Sequence, residues 1–574
     1  MTYKEFLGYI PSIMRVVRMM LVFFLIFDYP FAAKCLMVML LCEMAVGRND
    51  YGKIRAGIMN ILIIYLNLAD GLSYFKVNIC LWIVVIVAFI EGVLHVKKRI
   101  PSIDRFKLKN PVRTTMIAMV LVAVLALGLA IVPYASVPAV SDTYKQNFDV
   151  EQFYSDDISC DRATVIDDNG EALAQRIMLI ENAQSEIVMS TFSFKSDTAG
   201  KQMMASLYEA AKRGVRVRIL LDGFNSLLDV EGNPYYMALA SHKNVEIKIY
   251  NELSLLASWK GMSRMHDKYI VADDEVYILG GRNTFNYFLG DQKGYKNHDR
   301  DVLVYNTGGV ESSVYELKEY FENIWQLEMC ESWNEYIISG VLPSVEAAEN
   351  DLQEVYKDMK EIHWDWFEKP DYEIMTVETD KITLLSNPTD LYMKEPWVFY
   401  GLSRLMEQAK EEVVIHTPYI VADDYMLETF TQICEEVEVK IMTNAPSNNG
   451  NLFGAIDYIL NKQKILDAGL YVLEYDGGAS YHAKSVTIDD EIAIVGSFNM
   501  DYKSMYHDTE LMVVIDSPEF NRLLKESHQS YEEHSKEACI RENEVDMILQ
   551  GKKLKSRLQG RLIEKVDPYV RFLF

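Results

Sequence analysis

The 574-residue chain lacks the cysteine pattern of a zinc protein. Its seven cysteines form no Cys-x-x-Cys pair. Cys35, Cys42 and Cys80 lie in an apolar N-terminal region, and Cys160, Cys330, Cys434 and Cys539 are scattered beyond it. A zinc site of the usual spacing is excluded, and no metal or other cofactor is implied. In an oxidising compartment two of the last four could pair, but their spacing does not say which. Positive charge is the second shortage. Residues 1–140 carry 15 Lys+Arg against 7 Asp+Glu, whereas the rest carries 42 against 76, a net charge of −34. A surface that acidic repels a phosphate polymer, which argues against a nucleic-acid partner.

Long apolar runs are absent after residue 140 and crowded before it. The clearest, "TTMIAMVLVAVLALGLAIVPYA" at 114–135, has the roughly 20 residues that a bilayer core requires. Shorter runs occupy 13–27, 31–46, 56–68 and 77–96, the third interrupted by Asn60 and Asn67. No small-residue cleavage site ends the first run, so a cleaved signal peptide fits poorly. Basic residues fill alternate loops: Lys4, Arg15 and Arg18; Arg48, Lys53 and Arg55; then Lys97 to Arg113. Basic loops stay in the cytoplasm. Five spans with the N-terminus inside satisfy that rule and place the globular part outside a cell membrane. Two re-entrant runs are the alternative.

The globular part reads as two copies of one unit. "SEIVMSTFSF" (185–194), a helical stretch and "VRVRILLD" (215–222) are answered by "EEVVIHTPYI" (411–420), a second helical stretch and "VEVKIMTN" (437–444). Strand, helix, strand implies parallel pairing and α/β layers. The expected organisation is a membrane region at 1–140, a first half at 141–330, a helical connector at 331–372 and a second half at 373–574. The connector holds "HWDWFEK", either a local packing cluster or an aromatic foot at a lipid interface. The tail "GKKLKSRLQGRLIEKVDPYVRFLF" mixes Lys/Arg with Leu/Ile. It suits an anionic surface, or equally a solvated terminal helix.

One motif occurs twice. "HDKYIVADDEVYILGGRN" (266–283) and "HAKSVTIDDEIAIVGSFN" (482–499) align without a gap and share eight of eighteen residues. His266 and Lys268, like His482 and Lys484, stand two apart in a strand-forming segment and so share a face. Small residues at Gly281 and Ser497 let backbone approach a ligand, and Asn283 and Asn499 add amide donors. Face to face, the halves supply two imidazoles, two ammonium groups and two amides, a set that holds one phosphate. One neutral histidine can attack phosphorus while the other, protonated, serves the leaving alcohol. An acidic partner would orient each ring; Asp301 in "HDRDVLVY" and Glu510 in "HDTELMVV" are the candidates. A lone His-x-Lys is usually incidental, but coincidence does not repeat His, Lys, Asp, Gly and Asn at equal spacing.

The pattern H-x-K-x4-D-x6-G-[GS]-x-N, present twice, resembles the phospholipase D superfamily over about residues 155–574. "RMHDK", "GGRN", "DRDVLV", "GSFNMDYKS" and "TELMVVID" are similar to bacterial cardiolipin synthases. The resemblance implies an α/β phospholipase D fold of two duplicated halves sharing one active-site cleft, here behind a multi-span α-helical membrane region. It implies phosphodiester transfer through a phosphohistidine without a metal. Its catalytic set would be His266, Lys268, Asp273, Asn283, His482, Lys484, Asp489 and Asn499, with Glu510 and Asp301 as orienting acids. Asp273 and Asp489 would brace the motif, and His266 would be the nucleophile. The expected substrates are phospholipids, phosphatidylglycerol first and phosphatidylethanolamine as a further candidate, with head-group and acceptor preference left open. A phospholipase D hydrolase is the alternative, and a nuclease of the superfamily a weaker one.

Overall fold

The computed structural model describes residue 131 and residues 134–253, 260–333 and 343–574. The apolar runs expected to span a membrane lie, but for the end of the last, outside the described residues. Among the described residues no helix is long and apolar enough to cross a membrane.

The first half supplies β1 (Asp161–Ile166), β2 (Glu186–Thr191), β3 (Arg216–Asp222), β4 (Val245–Tyr250), β5 (Tyr269–Ala272), β6 (Val276–Gly280), β7 (Asn297–His298), β8 (Asp301–Asn306), β9 (Cys330–Ser332) and β10 (Val377–Glu378). All but β7 form one sheet, ordered β10-β1-β8-β6-β5-β2-β3-β4-β9. The second half supplies β11 (Lys381–Ser386), β12 (Glu412–His416), β13 (Ile420–Val421), β14 (Glu438–Asn444), β15 (Tyr471–Tyr475), β16 (Ser480–Tyr481), β17 (Ser485–Ile488), β18 (Ile492–Gly496), β19 (Met500–Asp501), β20 (Leu511–Asp516) and β21 (Ser535–Glu537). Eight of these form the sheet β11-β20-β18-β17-β12-β14-β15-β21.

The order repeats because the local sequence repeats. β2 pairs parallel with β3 and β12 with β14, as strand–helix–strand order implies. Their near-continuous apolar runs are buried on both faces, the habit of parallel strands under helices. The helix Thr198–Arg213 joins β2 to β3. Asp197 caps its start, accepting from Gly200 N, and Gly214 ends it in the left-handed region at φ 105°. The repeated motif becomes an antiparallel hairpin in each half, β5–β6 and β17–β18.

The sheets pack through these hairpins. Tyr277, Leu279, Val302 and Val304 share one core cluster with Ala493, Val495, Leu511 and Val513. Two segments depart from the expected boundaries. β10, past residue 372, pairs with β1 at the edge of the first sheet, so the second sheet begins at Lys381. Residues 142–153, ahead of β1, pack on the second half: Tyr144 stacks on Trp397 at 4.4 Å, and Phe153 lies in that half's core. In the connector the helix Pro343–Ile362 is tied to the first half by Lys201–Asp351 at 2.8 Å. None of Trp364–Phe367 is buried; Trp366 stacks on His363 instead. The four described cysteines are free thiols.

Candidate active site

Each His-x-Lys segment stands just ahead of its hairpin, and a strand from the opposite half runs beside it. Met265 bridges Thr509, and His266 N donates to Thr509 O at 3.3 Å. In the reciprocal place β7 pairs parallel with β16, and His482 N donates to His298 O at 2.6 Å. The halves therefore exchange strands beside the histidines, and each imidazole meets an acid from the other half. His266 Nδ1 lies 2.9 Å from Glu510 Oε1, and His482 Nδ1 lies 2.6 Å from Asp299 Oδ2. An aromatic edge closes on each ring: Phe192 at 5.1 Å from His266 and Phe288 at 5.0 Å from His482.

Asp301, the expected first-half partner, meets arginines instead. Arg176 reaches its carboxylate at 2.8 Å and Arg282 at 3.1 Å, all three side chains buried. The acid that serves His482 is two residues earlier. Its place is made by Gly281, where a Cβ would lie 2.2 Å from Asp299 Oδ1. In the second half Ser497 stands where Gly281 does, and its hydroxyl bonds Glu510. Ser504 Oγ reaches the other oxygen of Glu510 at 2.6 Å. Gly281 and Ser497, expected to meet substrate, are thus engaged with the two acids.

The lysines are placed alike. Lys268 Nζ donates to the His266 carbonyl and Lys484 Nζ to the His482 carbonyl. Lys484 Nζ also sits 2.8 and 3.3 Å from the two nitrogens of His482. Asn283 Oδ1 accepts from Ser193 N at 3.2 Å. Asn499 Nδ2 donates to Ser504 Oγ at 3.3 Å and to Tyr419 OH at 3.4 Å.

Asp273 and Asp489 lie at the far end of the first hairpin strand. Both turn residues have positive φ, 54° and 46°, which aspartate tolerates better than most side chains. Asp273 accepts from Gln184 N, Ser185 N and Glu186 N at 2.8 to 2.9 Å. Asp489 accepts from Lys410 N, Glu411 N and Glu412 N at 2.8 to 3.0 Å. Each carboxylate ties the hairpin turn to the start of the antiparallel strand beside it, β2 or β12.

The electrostatics divide the two histidine–acid pairs. Burial and the nearby Lys268 and Lys484 hold His266 well below its ordinary value. Burial, then Lys484, lowers His482 to about 4, against the pull of Asp299. Both rings are neutral at rest. Burial would raise Asp299, but His482, Lys484 and Arg282 hold it far below the carboxylate range, so it is ionised. Burial and the neighbouring Asp508 push Glu510 well up despite Lys268, toward its neutral form. Burial also brings Lys268 to about 7 and Lys484 to about 8. Each pair's ammonium depresses the other pair's imidazole, so the two pairs share one field.

Donor atoms of His266, Asp508 and Glu510 come within 4.8 Å of one another, close enough to share a cation. Lys503 already lies 3.0 Å from Asp508, and Glu510 already meets two hydroxyls and the ring. These contacts suit a proton network better than a metal cage. Asp299, Phe192, Phe288 and Ser504 were not assigned a role from the sequence, although Asp299 opens "DRDVLV" and Ser504 closes "GSFNMDYKS".

The family model described as "Cardiolipin synthase, PLD-like domain" matches residues 177–325 and 402–531, one stretch in each half. The chain belongs to the phospholipase D superfamily. Its curated relatives include an uncharacterised protein of Helicobacter pylori strain J99, 28% identical over 414 residues, which covers 65% of this chain and 80% of the relative. A cardiolipin synthase of Staphylococcus aureus strain Mu50 is 26% identical over 364 residues, 63% of this chain and 65% of that one. The phosphatidylserine synthase structure from Haemophilus influenzae Rd KW20 shares the fold, with a TM-score of 0.52 at 15% identity, over 75% of this chain and 100% of that one.

Proposed function

We propose that this chain is a membrane-anchored phosphatidyltransferase that forms cardiolipin by way of a phosphohistidine. The observation that carries this reading is the crossed arrangement of acids. Each histidine is held at Nδ1 by a carboxyl group of the other half, which leaves Nε2 of each ring for a shared phosphorus. The similarity to cardiolipin synthases supports a phospholipid as substrate.

The roles follow from the unlike acids. His266, beside a carboxyl that burial pushes toward its neutral form, keeps its lone pair and attacks the phosphorus of phosphatidylglycerol. A P–N bond forms and the P–O bond to the head-group glycerol breaks. His482, neutral at rest, takes up a proton from solvent as the phosphodiester anion binds, ionised Asp299 favouring the imidazolium, and gives that proton to the glycerol oxygen. It is also the more open ring, with 23% of its side chain exposed against 11% for His266, as an acid serving two successive alcohols requires. The hydroxyl of a second phosphatidylglycerol then loses its proton to His482 and attacks the phosphohistidine. Cardiolipin leaves and His266 is restored. Lys268, Lys484, Asn283 and Asn499 stabilise the charged oxygens of the pentacoordinate phosphorus. Asp299 and Glu510 position the rings, while Asp273 and Asp489 brace the hairpins.

The apolar runs ahead of residue 136 support an anchor of about five spans, with the catalytic part outside the cell membrane. Lipid mass spectrometry tests the reaction. The detergent-purified chain is incubated with acyl-labelled phosphatidylglycerol, with and without phosphatidylethanolamine, beside His266→Ala. Labelled cardiolipin that disappears in the variant is expected. Phosphatidic acid alone would make the enzyme a phospholipase D hydrolase, and cleavage of DNA with no lipid product would overturn the lipid reading.

A further inference from the structure

The helix Leu554–Val570 has two faces of opposite character. Its inner face is packed. Gly560 lies so near Leu549 that a Cβ would come 2.4 Å from Leu549 Cδ2, Ile563 joins a small core cluster, and Asp567 is buried. Its outer face leaves Leu554, Leu558 and Leu562 more than 60% exposed, with Tyr569 at 77%. Those leucines recur every fourth residue, so they form one stripe along the helix. Isolated exposed leucines need no explanation, whereas an aligned row does.

Charge identifies what would cover the row. Lys555, Arg561 and Lys565 fall on the same outer face by helical spacing, and Lys552, Lys553 and Arg557 adjoin it. Among the described residues Lys552, Lys553, Lys555, Arg557 and Lys565 have no ion pair, while Arg561 pairs with Asp546 and Glu564. This basic, apolar strip belongs to a chain of net charge −26. Beside it is a groove of about 440 Å³ that the strip's Leu554 and Leu558 line with Met547 and Leu549.

We propose that this face is a docking surface for an anionic bilayer, the leucines entering the acyl boundary and the lysines meeting lipid phosphates. The helix is fixed to the catalytic part at its end. Arg571 bonds Asp457 at 2.9 Å and lies over the Tyr502 ring at 5.8 Å, and Phe574 stacks on Phe453 at 3.9 Å. Tyr502 opens the short helix that carries Ser504, which bonds Glu510. A surface docked through this face would therefore be rigidly related to the histidines. The proposal stands apart from the chemistry assigned to them.

Hydrogen exchange of the full-length chain tests it, in neutral detergent, in phosphatidylcholine nanodiscs, and in nanodiscs containing phosphatidylglycerol. Extra protection of 554–566 in the anionic nanodiscs alone is expected, diminishing at high salt. Lys555→Glu and Lys565→Glu should each weaken it about fivefold, and Leu558→Ser with Leu562→Ser should abolish it. His266→Ala should leave the protection unchanged, which separates this test from that of the catalytic reading. Equal protection in both kinds of nanodisc would overturn the proposal. So would protection that rises with protein concentration in detergent, which would assign the stripe to a second copy of the chain.

Discussion

The two halves of the catalytic domain share an order of strands and a motif, yet they hold their acids differently. "HDRD" in the first half aligns with "HDTE" in the second, so Asp299 answers Asp508 and Asp301 answers Glu510. The jobs are exchanged. In the first half the earlier acid serves a histidine and the later one is held by Arg176 and Arg282. In the second half the later acid serves a histidine and the earlier one pairs with Lys503. Residues two apart in extended chain share a face, so either position can point at the cleft. His482, Lys484 and Arg282 hold Asp299 down against its burial, whereas burial prevails over Lys268 at Glu510. Duplication supplied two equal rings, both held neutral at rest, and the unlike acids beside them separate the ring whose imidazolium is favoured from the one whose imidazolium is not.

The largest effect tests whether the rings differ at all. His266→Ala and His482→Ala should each lower turnover at least about 10³-fold. They should part in a trapping experiment. With a phosphodiester whose leaving group needs no proton, His482→Ala should still accumulate a covalent phosphoryl-enzyme, and His266→Ala should form none. The reverse pattern would exchange the roles.

The acids come next. Asp299→Asn removes a charge that favours imidazolium, and should lower turnover about 10²-fold. Glu510 is pushed by burial toward its neutral form, so Glu510→Gln should cost about tenfold or less. Equal losses would show that both carboxyls carry the same charge and would remove the basis for distinguishing the rings. Asp301→Asn, by contrast, should act through folding, since it leaves Arg176 and Arg282 buried without their counter-charge.

These contrasts show what the sequence could and could not reveal. The hairpins, the paired His and Lys, and the turn aspartates were legible because each depends on residues close along the chain. Parallel pairing of β2 with β3 followed from strand–helix–strand order for the same reason. The partner of His482 was not legible. It depends on β7 lying beside β16, segments some 180 residues apart, and on the space left by Gly281. Asp301 stood at the aligned position but was claimed by two arginines, one of them on a helix with no motif. The packing of residues 142–153 on the second half was hidden likewise, because Tyr144 and Trp397 meet only in the folded chain.

The pH dependence sharpens the comparison further. Lys268, lowered to about 7, and Lys484, lowered to about 8, lose their charge first as pH rises. KM for an anionic phosphodiester should therefore climb about tenfold between roughly pH 7 and 9. His482 works in the opposite direction on stability. Its folded value of about 4 lies below the ordinary 6.5, so the unfolded chain takes the proton first as pH falls. Stability from this ring should be complete above about 6.5 and decline toward 4, read as a falling denaturant midpoint. A KM flat across the alkaline range would mean that the lysines stay charged, and that burial has less hold on the site than its geometry implies.

The smallest effect on chemistry should come where the halves are most alike. Asp273 and Asp489 each cap three backbone N–H groups from a positive-φ turn. Replacing either by Ala removes those acceptors, at about 1–3 kcal/mol, and leaves a Cβ residue in the left-handed region, at about 1 kcal/mol more. Asn keeps the turn conformation and part of the bonding, so it should be milder at both sites. The two alanine variants should lose similar stability, within about 1 kcal/mol, and the folded fraction of each should turn over within about threefold of the parent. Equal melting shifts with near-normal turnover would place the difference between the halves in their acids alone. A large turnover defect in one well-folded alanine variant would instead show that its turn sets the position of the nearby histidine, and that the two hairpins are not equivalent supports.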